Sequence, residues 1–375
     1  LYQRLSDQKF SFVFNDSDLY KSTKFSLDFI YPRLVKGGIM IFHNYGEGDN
    51  PNRIGERDGK KIEFGERRAV DEFCDLHGIQ LNTKKSLAYI QKPEKEKQKQ
   101  SISWKTIIKK TSLIDKLKIY GYVFKLSLQK QKRDYDLINQ QYNFGIWNRK
   151  PWEETDFESS YGNYHWNISE ANERVMWHEG QMVKAKYQDF DKECLSEFLS
   201  FFDEFDKMQP IVELGCGLGW NLFNLRRMGF KKLEGYDLSK IAIEKLQKYV
   251  KKNDYDMHFG ICDLNKPFFE NMIKDKVVFT AGCLEQCKHI MENALKNIVN
   301  GNPKLVINFE VDYDTSPYIV KKYLDSRDYQ NNLVKELKIL QKKGDIELLS
   351  IKKIRYSISP INVGSAIIWK PKSKN

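Results

Sequence analysis

Three glycines one residue apart, Gly215, Gly217 and Gly219, follow the apolar run Ile211–Leu214 and open onto a helical pattern. Glycine at a strand-to-helix turn lets the backbone reverse tightly and approach a ligand closely. The neighbours decide which ligand. A dinucleotide fingerprint, G-x-G-x-x-G/A, needs a small third residue for helix–strand packing. Here the spacing is G-x-G-x-G, and Trp220 stands where the small residue should be. Glu213 precedes the turn. A carboxylate at this mouth repels a diphosphate and favours a ligand that carries positive charge. Two more acids end the next strand-like runs, Asp237 and Asp263. An acid roughly 20 residues beyond such glycines can accept both hydroxyls of a ribose.

Val212–Gly219, Asp237, Asp263 and the segment Thr280–Gln286 stand in an order that resembles the class I S-adenosylmethionine-dependent methyltransferases, whose first motif reads E/D-x-G-x-G-x-G. That cofactor carries an ammonium and a sulfonium, which suits Glu213. The family's acid at the third strand end faces the adenine amino group, the place of Asp263. Thr280–Gln286 is similar to the family's V-L-E-H segment, with Gln286 in place of the histidine, so the base is open at this turn. The resemblance spans residues 210–370. It implies cofactor contacts at Glu213, Gly215, Cys216, Gly217, Gly219, Asp237, Leu238, Asp263, Leu264 and Cys283.

Methylation of a hydroxyl needs the acceptor oxygen held in line with the methyl, and a group for the hydroxyl proton. Ahead of the glycine strand lies a segment dense in aromatics, among them Trp147, Trp152, His165, Trp166, Trp177 and His178. It reads either as a lid whose rings stack on a substrate or as the core of a helical cap. His165, His178 with Glu179, and His289 after the fourth strand, are the candidate bases.

A second resemblance lies at the other end. Residues 14–23, 29–34, 37–46 and 67–73 are similar to the C-terminal half of the macrocin O-methyltransferase (TylF) family. Members bind a divalent metal through strand-end carboxylates, which implies Asp16 and Asp18 as magnesium ligands and a sugar hydroxyl as acceptor. The family's acidic pair at the second strand end is His43-Asn44 here. With only that half present, Phe10–Asn15 is expected to offer an unpaired apolar edge.

The elements that must position these residues alternate. Apolar runs at 10–15, 39–42, 211–214, 232–236, 257–261, 277–281, 305–309, 346–354 and 366–369 read as strands. Helical periodicity covers 20–34, 67–77, 195–205, 221–228, 240–251, 288–299 and most of 317–341. Short strands are expected at 79–81 and 87–90, and a long loop at 44–65. Such alternation predicts an α/β, Rossmann-like sheet with helices on both faces. Phe10–Ile90 and Val277–Trp369 share one order of elements, so a partial second module of the same type is expected in front. The expected divisions are a partial module at 1–91, a basic linker and helical spacer at 92–140, an aromatic-rich cap at 141–209 and the core at 210–371. Tyr120-Gly121-Tyr122 interrupts the helical pattern of the spacer.

Composition bounds the rest. The 375 residues suit two domains at roughly 100–200 residues each. The net charge of +11, from 62 basic and 51 acidic residues, admits nucleic acid, a membrane surface or an anionic small molecule, or simply solvated lysines. No N/D-P-P-Y tetrad follows the fourth strand, which weighs against a nucleobase N-methylase. The six cysteines form no C-x-x-C pair and suit a reducing, cytoplasmic setting. No apolar run reaches the ~18 residues of a membrane span. Because the chain opens with Leu1, a preceding segment is expected. The expected activity is O-methylation of a sugar or sugar-containing metabolite. The alternatives are a nucleic-acid methyltransferase and a non-catalytic first module.

Overall fold

Apolar runs become strands and amphipathic stretches become helices in the computed structural model, which divides into two units, 1–103 and 104–375. It describes residues 8–17, 19–43, 45, 54–57, 60–63, 65–77, 79–84, 87–93, 108–129, 132–142 and 173–372.

In the first unit, β1 (Phe10–Asn15), α1 (Tyr20–Ile30) and β2 (Leu34–Phe42) make a parallel strand pair joined by a helix. A hairpin, β3 (Ile54–Arg57) and β4 (Lys60–Glu63), lies within the expected 44–65 loop, where too few apolar residues recur for alternation to reveal it. Then come α2 (Glu66–His77), β5 (Leu81–Lys84) and β6 (Leu87–Gln91). The sheet order is β1-β2-β6-β5, with the last two pairings antiparallel. Burial alternates along β2 and β6, so Met40, Phe42, Ala88 and Ile90 meet Leu27 of α1 and Val70 of α2 in one core. Among the described residues β1 pairs only with β2, and Phe12 and Phe14 are 58% and 51% exposed.

The second unit starts with β7 (Lys109–Lys110), α3 (Leu113–Leu128) and α4 (Tyr135–Gln140). Gly121 does not break α3: one glycine costs a helix interior only about 1 kcal/mol. Next are a hairpin, β8 (Glu173–His178) and β9 (Gln181–Lys186), and α5 (Tyr187–Ser200), which begins earlier than the periodicity indicates. The alternating core follows: β10 (Ile211–Leu214), α6 (Trp220–Arg227), β11 (Leu233–Asp237), α7 (Lys240–Lys252), β12 (Met257–Ile261), β13 (Val277–Ala281), α8 (Met291–Asn300) and β14 (Leu305–Glu310). It closes with α9 (Tyr318–Arg327), α10 (Leu333–Lys343), β15 (Ile346–Lys353), β16 (Tyr356–Ser357) and β17 (Ser365–Pro371). The single expected helix over 317–341 is two, because Asp328 turns left-handed at φ 54°.

Seven strands form one sheet in the order β12-β11-β10-β13-β14-β17-β15. The first five run parallel, and β17 is antiparallel to both its neighbours. The central strands β10, β13 and β14 are buried on both faces, which is why they read as continuous apolar runs. Val212, Leu214, Val278, Val306 and Trp369 face one core; Ile211, Val277, Phe279 and Ile307 face another with Phe202 beyond α5. A smaller antiparallel sheet has the order β16-β8-β9-β7. The pairing β13-β14-β17-β15 repeats, strand for strand and direction for direction, the β1-β2-β6-β5 of the first unit.

Candidate functional site

Chain order departs from sheet order at β10. It pairs with β11 on one side and β13 on the other, the switch point beyond whose C-terminal strand ends open α/β sheets bind their ligands. The glycine loop sits there. Gly215, Gly217 and Gly219 have φ of 75°, 50° and 72°, a region L side chains rarely adopt. Gly215 is also held by space, since a Cβ there would collide with Cys283 Sγ. The Gly215 and Cys216 N–H groups donate to the Tyr236 carbonyl at 2.7 and 3.1 Å, which ties the loop to β11.

Asp237 ends β11 against this loop. Its Oδ2 accepts from Gly217 N at 2.8 Å and its Oδ1 from Ser239 N at 2.8 Å. Burial pushes the carboxyl up while those two donors pull it down. Each oxygen keeps a second lone pair for a ligand hydroxyl. Glu213 is 1% exposed. Its Oε1 accepts from Asn221 Nδ2 at 2.6 Å, and its Oε2 is buried with no hydrogen-bond partner. Burial drives this carboxyl well above the usual range; Asn221 opposes the rise and the Asp237 charge adds to it. A cationic ligand group supplies the partner that Oε2 lacks. Asp263 follows β12. It accepts from Asn265 N at 2.9 Å and lies 3.5 Å from Lys266 Nζ. The preceding Cys262 N–H donates to the Asp237 carbonyl at 3.0 Å, which draws the two strand ends together. Cys216 and Leu264 are buried and Leu238 is half-buried.

Beyond the loop stands a polar wall of which the sequence singled out Glu285, Gln286 and His289 but not Arg133, Tyr142, Glu310 or Asn362. After β13 the chain makes a 3-10 turn, Leu284–Gln286. Glu310, at the end of β14, clamps it by accepting from the N–H groups of Cys283 and Leu284 at 3.0 Å and of Glu285 at 3.3 Å. Burial nonetheless pushes the Glu310 carboxyl up to about 8. The Glu285 carboxylate accepts from Gln286 Nε2 at 3.0 Å and Asn362 Nδ2 at 2.9 Å. Burial raises its pKa against those bonds and the Arg133 and Arg327 charges. Arg133, itself buried, donates to Gln286 Oε1 and lies 4.7 Å over the Tyr329 ring. Tyr142 packs on Leu218 of the glycine loop and Ala242 of α7. Its phenol is pushed well up by burial, then by Glu285 and Tyr329. Tyr142 therefore links loop and wall.

The described candidate bases fall in two places. His178 and Glu179 form the turn end of the β8–β9 hairpin. The His178 ring lies 5.0 Å from that of Tyr356, and burial lowers its imidazole pKa. Glu179 N donates to the Arg355 carbonyl at 2.8 Å. His289 joins the wall: its Nε2 lies 3.1 Å from Asp328 Oδ2, which also accepts from Arg133 N at 3.0 Å. Burial works to raise the Asp328 carboxyl, yet hydrogen bonds from Lys288, Arg133 N–H and His289 bring it down to about 2. Trp147, Trp152, His165 and Trp166 lie outside the described residues, and Trp177 is buried in the hairpin.

In the first unit Asp16 Oδ1 lies 3.3 Å from His43 Nδ1, and Asp18 lies outside the described residues. Among the described residues no three metal-ligand side chains stand together, so magnesium there finds no support. No described helix is long and apolar enough to cross a membrane.

Residues 211–300 match the family model for a methyltransferase domain. No curated protein matches the chain. Among solved structures, the PH0226 protein of Pyrococcus horikoshii OT3 is 16% identical with a TM-score of 0.38, covering 50% of this chain and 92% of its own. Magnesium protoporphyrin IX methyltransferase of Synechocystis PCC 6803 is 15% identical with a TM-score of 0.39, covering 50% and 87%. Geranyl diphosphate C-methyltransferase of Streptomyces coelicolor A3(2) is 10% identical with a TM-score of 0.39, covering 50% and 81%. These likenesses say nothing of this chain's acceptor. The domain match falls on the glycine loop and on all three acids. Residues 211–300 are a methyltransferase domain.

Proposed function

We propose that the second unit holds S-adenosylmethionine over the glycine loop and directs its methyl to a hydroxyl of a sugar or sugar-containing small molecule. The observation that carries the cofactor reading is the orphaned Oε2 of Glu213, a buried carboxylate oxygen beside left-handed glycines. In this reading Glu213 takes the ammonium, Asp237 the ribose hydroxyls and Asp263 the adenine amino group. Gly215, Cys216, Gly217, Gly219, Leu238, Leu264 and Cys283 line the cofactor. Bound there, it supplies an electrophilic methyl.

The acceptor lies against the wall of Tyr142, Glu285 and Asn362. Half-buried hydrogen-bonding groups beside aromatic rings suit a polyol, whose hydroxyls need partners and whose carbons need an apolar face. His289 and Glu285 are the groups on that wall able to take the hydroxyl proton. The sugar class is further supported by the likeness of residues 1–91 to the macrocin O-methyltransferases, read as a partial module ahead of a 92–140 spacer, a 141–209 cap and the 210–371 core.

Tritiated-methyl transfer by the full chain, offered sugar nucleotides and bulk RNA, tests the acceptor. Label in the sugar fraction is expected, and label in RNA alone refutes the sugar class. Asp237→Ala is expected to abolish calorimetric cofactor binding; unchanged affinity removes its ribose role.

A further inference from the structure

Helix α3 carries a surface that the methyl-transfer reading does not use. Seven large apolar side chains on its 16 residues are 44–73% exposed; Tyr122 stands apart, and the other six, Leu113, Ile114, Leu117, Tyr120, Phe124 and Leu128, share one side. At 100° per residue they fall within about 120° of arc. The opposite side is occupied, since α3 packs against α9 with Val123 buried. Exposed apolar residues scattered singly are ordinary, but a contiguous stripe of this kind marks an interaction site.

Charge identifies the occupant. On the same helical wheel Lys118 and Lys125 border one margin of the stripe and Lys116 the other. Asp115, the only acid of the helix, projects away from the stripe and pairs with Lys184 at 3.6 Å. The chain as a whole carries +11. An apolar stripe bordered by lysines matches the boundary of an anionic bilayer: the rings and aliphatic groups enter the acyl region, and the ammonium groups reach the headgroups. A helix of this length, about 24 Å, is too short to span and fits lying in the plane.

We infer that α3 docks the protein on an anionic lipid surface. A partner helix from a second copy requires apolar contact but gains nothing from the lysine borders, which face each other with like charge across a two-fold axis.

Flotation of the full chain with phosphatidylcholine vesicles, with and without phosphatidylglycerol, tests this. Binding is expected only with phosphatidylglycerol, and it weakens as salt rises. Leu117→Glu with Phe124→Glu is expected to weaken it roughly tenfold or more, while the fold persists because both side chains face solvent. Lys118→Ala with Lys125→Ala, which leaves the stripe intact, is expected to weaken it roughly three- to tenfold. Absence of vesicle binding at low salt, equal binding to neutral vesicles, or binding unchanged in the Glu variant overturns the inference. So does a light-scattering dimer that the Glu variant dissociates without any vesicle binding.

Discussion

At the residue scale the site is governed by carboxylates taken out of water. Glu213 is held well above the usual carboxylate range by burial, which favours its protonated form in the free protein. A ligand ammonium favours the ionised form, so cofactor binding releases that proton. The calorimetric enthalpy at neutral pH is therefore expected to vary with the ionisation heat of the buffer. In Glu213→Gln that variation disappears, and affinity falls by about 2 kcal/mol, the worth of one charge-assisted bond. A buffer-independent enthalpy in the natural chain contradicts the ammonium role. Glu310 yields a pH dependence of stability. Its folded pKa of about 8 lies above the free value of 4.5. The native state therefore holds more protons between those values. Its contribution is complete below about pH 4.5 and is lost as pH rises through 8. Urea unfolding of Glu310→Gln is expected to lose that decline, and an identical pH profile in the variant rules the idea out.

At the scale of elements, the loop between β10 and α6 is fixed from two directions, by its left-handed backbone and by the end of β13. Gly215→Ala meets both a strained φ and the Cys283 side chain. It is expected to cost about 2–4 kcal/mol in thermal unfolding. Adding Cys283→Gly removes the collision but not the strain, so the double variant should recover part of the loss. No recovery means that backbone strain alone is responsible. Two hairpins were not foreseen. β3–β4 lies in a run of glycine and charged residues, and β8–β9 is short and marked by the Glu179-Gly180 turn. The β8–β9 hairpin does not stand on local pattern alone. β8 is strand-paired with β16, more than 170 residues away in the chain.

At the scale of the whole molecule, each unit has its own core. Met40 lies among residues of the first unit and Ile307 among those of the second. Met40→Ala and Ile307→Ala are each expected to cost about 2–5 kcal/mol. Peptide-resolved hydrogen exchange should show Met40→Ala speeding exchange in β1 and β2 while β10–β14 are unaffected, and Ile307→Ala the reverse. A uniform response in both units contradicts separate cores. The first unit reproduces four strands of the larger sheet and leaves the outer side of β1 without a strand among the described residues. That edge is the place where chain association starts if it is uncovered.

Local chemistry made the glycine loop, Glu213, Asp237, Asp263 and the alternation of strands and helices legible before any coordinates. A left-handed turn needs glycine, a buried parallel strand needs an apolar run, and an amphipathic helix needs its period, all within a few residues. Arg133, Tyr142, Glu310 and Asn362 had no such signal. They meet Glu285 because β13 lies beside β14 and the 132–142 segment reaches the glycine loop. His178 and His289 looked equivalent in the chain, yet strand pairing put one beside Tyr356 and a 3-10 turn put the other on Asp328. Residue type and spacing dictated the elements and the glycine loop, because those depend on neighbours along the backbone. Which side chains share the polar wall depended on long-range strand order and burial, which only the folded chain decides.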